Sequence, residues 1–204
     1  DLAPADFDIA APAGAVRVRA RVIGVVENQA PTRALERELP VRGGLVAASG
    51  DVAQIALVER HRATGGVVNA FVAGFGYDAP CAVASTVAHD SHHMIVVGTS
   101  KADMARAANR LRALGGGVTV WREGRELAHV ALPIAGLMSD APAEAVAEAA
   151  RGVVAAMAAC GCRLNNAYMQ HSLLALVVIP SLRISDLGLI DVDRFEPTDL
   201  LLPA

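Results

Sequence analysis

Three of the six histidines in the chain fall within five residues, in His89-Asp90-Ser91-His92-His93. Imidazoles at this density can bind a metal ion, move protons or hydrogen-bond a heterocycle, and an adjacent carboxylate can fix their tautomer. Spacings of three and four would set two of them on one face of a helix. The segment lies instead between two apolar runs, Cys81–Val87 and Met94–Val97, that read as strands. A tight turn is therefore expected, and polar turn residues capped by Asp90 and Ser91 are the plain alternative to a site. Metal binding by this chain alone is not expected, because a three-ligand site needs further donors and the candidates are distant in sequence. A second polar cluster, Glu59-Arg60-His61, closes the apolar run Ala53–Glu59. Strand ends often carry functional side chains, although a solvated terminus would look the same. His129 and His171 lie inside apolar segments and read as structural histidines.

Other motifs are weaker. Gly74-Phe75-Gly76-Tyr77-Asp78-Ala79 fits the spacing of a dinucleotide fingerprint. That fingerprint needs a helix after it, so that phosphate meets the helix N-terminus, and here Pro80 and a strand follow. Neither His-x-His nor His-Glu-x-x-His occurs, and Pro80-Cys81 lacks the second cysteine of the zinc deaminases that carry Pro-Cys-x-x-Cys.

The elements that must position these clusters can be read from periodicity. Val16, Val18, Ala20 and Val22 alternate with Arg17, Arg19 and Arg21, predicting a strand over 16–22 with a wet basic face. A second strand is expected over Glu36–Val41, turning at Gly43-Gly44. Thr64-Gly65-Gly66 and Gly74-Phe75-Gly76 punctuate the stretch that follows Ala53–Glu59. Ser100 with Asp103 predicts a capped helix to Leu114, with Met104, Ala107, Ala108, Leu111 and Leu114 on its apolar face and Gly115-Gly116-Gly117 ending it. A hairpin over Val118–Arg122 and Arg125–Leu132 turns at Glu123-Gly124. Asp140 as cap and Pro142 open a long helix to Cys160, closed by Gly161. A final strand, Leu173–Ile179, precedes a loop-rich tail. The sum is an α+β fold: a mainly antiparallel or mixed sheet packed with two longer helices. Residues 1–14, rich in Ala, Pro, Asp and Gly, read as an entering linker, with one domain over 15–204.

Composition bounds the function. At 204 residues, 53% hydrophobic and with mean hydropathy +0.40, the chain can bury a real core, yet no run reaches membrane-span length. Aromatic residues make up only 3%, so that core must be packed from small side chains. A net charge of −3 with scattered basic residues excludes a nucleic-acid footprint. Three cysteines, Cys81, Cys160 and Cys162, fit no disulfide framework or zinc ribbon and point to a reduced, cytoplasmic setting. Asp1–Pro12 has no basic head and apolar stretch like a signal peptide, and the absent initiator Met suggests a processed, trimmed or partial chain.

Several segments together resemble a known family. Val83-Ala84-Ser85-Thr86-Val87-Ala88-His89-Asp90-Ser91-His92, followed by Ile95-Val96-Val97-Gly98-Thr99, is similar to the signature of adenine deaminase C-terminal domains. So is Leu132-Pro133-Ile134-Ala135-Gly136-Leu137-Met138-Ser139-Asp140, and Val22-Ile23-Gly24-Val25, Val58-Glu59-Arg60-His61 and Gly115-Gly116-Gly117 fall in matching order. His93, where Asn is expected, and Tyr168-Met169-Gln170-His171, in a more apolar family segment, depart from the pattern. The resemblance runs from Leu2 to Leu201. It implies a metal-dependent amidohydrolase of purine salvage that hydrolyses adenine to hypoxanthine and ammonia, with a binuclear Mn, Fe or Zn site. That site would lie in a β/α barrel domain outside these residues. For this chain the resemblance implies a supporting domain over the barrel mouth, with His89, Asp90, Ser91, His92, Arg60 and His61 as substrate-pocket candidates. It assigns no certain catalytic residue and no metal ligand here, and it implies a cytoplasmic homo-oligomer. A non-catalytic folding or oligomerisation module and a free-standing purine-binding domain are the alternatives.

Overall fold

In the computed structural model, which describes residues 1–203, the apolar runs pair into one nine-stranded sheet. Its strands are β1 (Arg17–Gly24), β2 (Arg33–Arg42), β3 (Leu45–Val46), β4 (Val52–Val58), β5 (Val67–Ala73), β6 (Cys81–Ser85), β7 (Met94–Gly98), β8 (Gly117–Arg122) and β9 (Arg125–Ala131). They lie in the order β3-β2-β1-β5-β4-β7-β6-β8-β9. All pairs are antiparallel except a short parallel β1–β5 contact at Ile23–Val72 and Gly24–Ala73. Two longer helices, α1 (Lys101–Leu114) and α2 (Ala143–Ala159), pack on it, with a short α3 (Ala167–Ser172). The expected α+β fold with a mixed, mainly antiparallel sheet is the fold the chain adopts.

The central strands are apolar on both faces because both are covered. Ala56 and Val58 of β4, Ala82 and Ala84 of β6, and Met94 and Val96 of β7 meet Met104, Ala107, Ala108 and Leu111 of α1. Their alternates, Ile55, Leu57, Val83, Ile95 and Val97, face Val153 and Met157 of α2 and Leu182, Ile184 and Leu189 of a second sheet. This three-stranded sheet consists of β10 (Leu182–Ser185), β11 (Gly188–Asp191) and β12 (Glu196–Thr198). The result is three layers, with the main sheet in the middle. Alanines on the sheet let α1 sit close: a Cβ added at Gly98 would lie 2.8 Å from Met104 Cγ and 2.7 Å from the Cys81 carbonyl oxygen. Burying a side chain such as Leu111, fully enclosed here, is worth about 2 kcal/mol.

Local signals are mostly honoured. The Ser100 hydroxyl accepts from the Asp103 N–H at 3.3 Å and starts α1, and Gly115, at φ 77°, ends it. The alternating arginines of β1 line a wet face: Arg17 pairs with Glu38, and Arg19 lies 2.6 Å from Glu36. In the stretch read as an entering linker, Pro4–Phe7 forms a 3-10 turn, and Phe7 is fully buried under α1.

Other expectations are corrected. No strand forms over Leu173–Ile179, which winds through turns bonded Leu176 N–H to Leu173 O and Ile179 N–H to Leu176 O. Leu174, Ala175 and Leu176 are buried there. A short apolar run reports burial, not pairing, and such a run reads equally as strand or buried turn. The turn is held by Arg183, fully buried, which donates to the carbonyls of Leu173 and Ile179 at 2.8 Å each. Asp140 does not cap α2: Pro142 occupies the cap and supplies no side-chain acceptor. β5 fills the interval between the two glycine stretches, and the expected loop-rich tail holds the second sheet.

Candidate functional site

One end of the main sheet collects the polar clusters. β4 runs toward this end and continues into Glu59-Arg60-His61, while β6 ends here and turns through residues 86–93 into β7. Val58 pairs with Met94 and Ser85 pairs with both Ile95 and Val118, so the starts of β7 and β8 lie alongside. His89, Asp90, Ser91 and His92, expected as a turn, are one, and Arg60 and His61 lie against it. All six candidate residues are thereby brought together.

Arg60 is the clamp. Its Nε donates to the His92 carbonyl oxygen at 2.6 Å, and its guanidinium donates to the Ala135 carbonyl oxygen at 2.9 Å. A guanidinium presents several donors in a rigid fork, which suits it to holding two chain segments at once. Gly136, at φ 74°, lies beneath it; a Cβ there would stand 2.9 Å from the guanidinium. His92 adopts a left-handed φ of 53°, which costs a residue with a side chain about 1 kcal/mol. The Arg60 bond and the His92 N–H to Ala88 O bond, 2.7 Å, hold it there.

The hydrogen bonds also assign tautomers. The Ala88 N–H donates to His92 Nδ1 at 3.2 Å, so the proton of the neutral ring is on Nε2. His61 Nε2 lies 2.6 Å from the Ser91 carbonyl oxygen and must donate, which leaves Nδ1 of the neutral ring as an acceptor. Burial, with a smaller contribution from neighbouring His89, lowers the pKa of His92. Burial and neighbouring His61 do the same to His93. Both rings are therefore neutral at pH 7. The His61 and His93 rings approach to 4.6 Å between centroids, and those of His89 and His92 to 5.2 Å.

Three contributors lie outside the six pocket candidates, although Glu59 and His93 belong to the two polar clusters seen in the sequence. Glu59 accepts from the N–H groups of Thr64 and Arg62 at 3.0 and 2.8 Å, and these bonds hold its pKa down to about 2. It caps the loop leading to β5 and is not free for chemistry. His93 is buried, with Nδ1 making no hydrogen bond and lying 4.0 Å from Glu59, while its Nε2 lies 3.9 Å from Asp186 on the β10–β11 turn. Thr86, also buried, accepts from the Gly117 N–H at 2.8 Å and donates to the Gly136 carbonyl at 2.6 Å. Thr86 lies inside the quoted run, where only its polarity between Ser85 and Val87 marked it. Nothing local linked Asp186 to a histidine almost a hundred residues away.

The triple glycine explains how Thr86 reaches both partners. Gly116, at φ 123°, packs so tightly on Gly136 that a Cβ would fall 2.4 Å from its Cα. Gly117, at φ 140°, would place one 2.0 Å from the Val130 carbonyl oxygen. Only glycine allows three chain segments to approach this closely.

Among the described residues no group of three or more His, Cys, Asp or Glu is placed to hold a metal ion. The nearest approach, Glu59 with His93 and Asp186, has its Glu59 carboxylate occupied by backbone donors. The described residues therefore offer no such donor set for a binuclear metal centre. His171, fully enclosed, places Nε2 3.3 Å from the Val83 carbonyl oxygen and is held near pKa 4 by burial, consistent with a structural role. His129 is half-exposed and pairs with Glu126 at 3.2 Å. The Gly74 and Gly76 N–H groups bind the Asp51 carboxylate at 2.9 and 3.1 Å, so that glycine motif serves a turn.

Residues 29–196, which carry this whole arrangement, match the model of the adenine deaminase C-terminal domain family. The chain belongs to that family. It is 73% identical to an adenine deaminase of Ruegeria pomeroyi over 99% of its own length and 34% of the relative's. It is 71% identical to adenine deaminase 3 of Rhizobium meliloti, over 98% of this chain and 34% of that one. Similarity reaches an adenine deaminase of Rubrobacter xylanophilus, 50% identical over 94% of this chain and 32% of the relative. The chain thus spans about a third of the length of the curated relatives it matches. No helix among the described residues is long and apolar enough to cross a membrane.

Proposed function

We propose that this adenine deaminase C-terminal domain closes the active site of a longer enzyme that hydrolyses adenine to hypoxanthine and ammonia. In that reaction a water oxygen adds to C6, the C6–N6 bond breaks, N6 leaves as ammonia with one of the two protons the water gives up, and the other proton ends on N1 of hypoxanthine. The metal-assisted part, whether on manganese, iron or zinc, is assigned to the barrel portion of the polypeptide, since these residues do not fit a metal. The role of this domain is to exclude water and to position the purine.

The observation that carries the reading is the convergence of His61, His89 and His92 on one sheet end, with two tautomers assigned. His92 offers an Nε2–H donor and His61 an Nδ1 acceptor. The edge of adenine that bears N7 and the N6 amino group offers the complementary acceptor and donor. The neutral His92 ring suits a neutral base, and a preformed turn suits positioning. Asp90 and Ser91 lie in the same turn. Arg60, with its donors on two backbone carbonyls, acts as a positioning residue and not as a substrate ligand.

A place in purine salvage accompanies this reading, as does a cytoplasmic setting, which three buried, free cysteines support. The test is steady-state kinetics of a polypeptide in which this chain replaces the matching third of the Ruegeria pomeroyi relative. His92→Ala should lower kcat/KM for adenine at least about tenfold, the scale of one lost hydrogen bond in a water-excluded site. An unchanged kcat/KM would sink the closing role and favour a folding or oligomerisation module.

A further inference from the structure

We infer that the histidine-bearing end of the sheet is the docking face for the other two thirds of the adenine deaminase polypeptide, and that an apolar rim around the histidines makes the contact. The inference rests on the reading that this domain closes a longer enzyme, and it adds which residues hold the two parts together.

On one side of the cluster, Ile134, Leu137 and Met138 are 45%, 36% and 58% exposed. On the other, Leu187 is 78% exposed at the tip of the β10–β11 turn. Single exposed apolar residues are ordinary, but large ones bracketing a polar cluster on two separate turns mark an interaction surface. Both turns are tied to the cluster. The Arg60 guanidinium bonds the Ala135 carbonyl, and Asp186 lies 3.9 Å from His93. Neither turn is loose. Ile134 and Met138 exchange backbone bonds of 3.1 Å each way, and the Ser185 hydroxyl accepts from the Leu187 N–H at 3.1 Å and donates to the Gly188 carbonyl at 3.2 Å. The side chains are thus held out toward solvent by a rigid base, which removes much of the ordering cost of binding.

An apolar rim around a polar centre inverts the common interface layout of apolar core and polar rim, and it seals the polar groups from water. The occupant follows from length. The matching relatives are about three times as long as this chain, and the polypeptide they add must meet this domain somewhere. Val154, 54% exposed, lies on α2, which packs on β8 and β9, and is not part of this rim.

Thiol labelling tests this, because Cys81, Cys160 and Cys162 are all buried and slow to react. Met138→Cys, Leu187→Cys and Val154→Cys are made in this chain alone and in the same chain joined to the preceding two thirds of the Ruegeria pomeroyi relative. In the long polypeptide the first two should label at least about tenfold more slowly than in the short one, while Val154→Cys labels equally in both. Equal labelling of all three, or protection at Val154→Cys alone, overturns the inference. So does protection that appears in the short chain as its concentration rises, since the occupant would then be a second copy. Protection of the rim with unimpaired His92→Ala kinetics would leave the docking face standing and remove only the adenine-positioning role. Free labelling of the rim with impaired kinetics would do the reverse.

Discussion

Replacing Thr86 with valine removes one oxygen and keeps the shape of the side chain, so its effect isolates two hydrogen bonds. The hydroxyl accepts from the Gly117 N–H at 2.8 Å and donates to the Gly136 carbonyl at 2.6 Å, inside a residue that is 1% exposed. With valine, both backbone groups lose that partner where water has little access. Each unsatisfied buried group costs about 1–3 kcal/mol, and the added methyl group returns somewhat less than 1 kcal/mol. The net loss should be about 2–3 kcal/mol. It should also be local in character, since the two bonds join the start of β8 to the 134–138 loop on which Arg60 rests. Urea unfolding of the 204-residue chain gives the global figure, and amide exchange at residues 134–138 gives the local one. Thr86→Ser, which keeps the hydroxyl, should recover most of both. A Thr86→Val loss under 0.5 kcal/mol, or an equal loss for serine, would mean that the bonds do not hold the site and that the clamp argument is wrong.

Gly116→Ala should be more damaging than any single polar change here, because its Cβ would fall 2.4 Å from Gly136 Cα and backbone cannot yield cheaply; a loss of several kcal/mol, or no soluble protein, is expected, whereas Gly44→Ala, whose Cβ would meet nothing within 4 Å, should lose only about 1 kcal/mol from its left-handed backbone. Acid should destabilise the fold early. His171 is held near pKa 4 by burial, below the ordinary value of 6.5, so the unfolded chain binds the proton first. The stability this neutral ring contributes is complete above about pH 6.5 and falls as pH drops toward 4, by about 3 kcal/mol in all. His92 and His93 shift in the same direction. Urea midpoints from pH 7.5 to 4 measure the slope, and a His171 ring that titrates near 6.5 in the folded chain by NMR would refute the assignment.

Much of this molecule is legible in one dimension. The period-two run of β1, the continuous apolar runs of β4, β6 and β7, the Ser100 cap, the apolar face of α1 and the triple glycine are local features, legible from residue type and spacing alone. The histidine turn was also visible, because two apolar runs flanking a polar pentapeptide leave little room for anything else. Three things were decided only in three dimensions. The run Leu173–Ile179 is apolar enough for a strand, but it is buried without a sheet edge to join, and Arg183 takes up its carbonyls. Arg60, a pocket candidate by sequence, turns out to bond the His92 and Ala135 carbonyls and so ties two chain segments together. His93 meets Asp186 and His61 meets the Ser91 carbonyl only because the sheet brings distant ends together. Residue types and local spacing determine which chemistry a segment could perform. Which groups remain free to perform it depends on long-range hydrogen bonds, and those are set by topology.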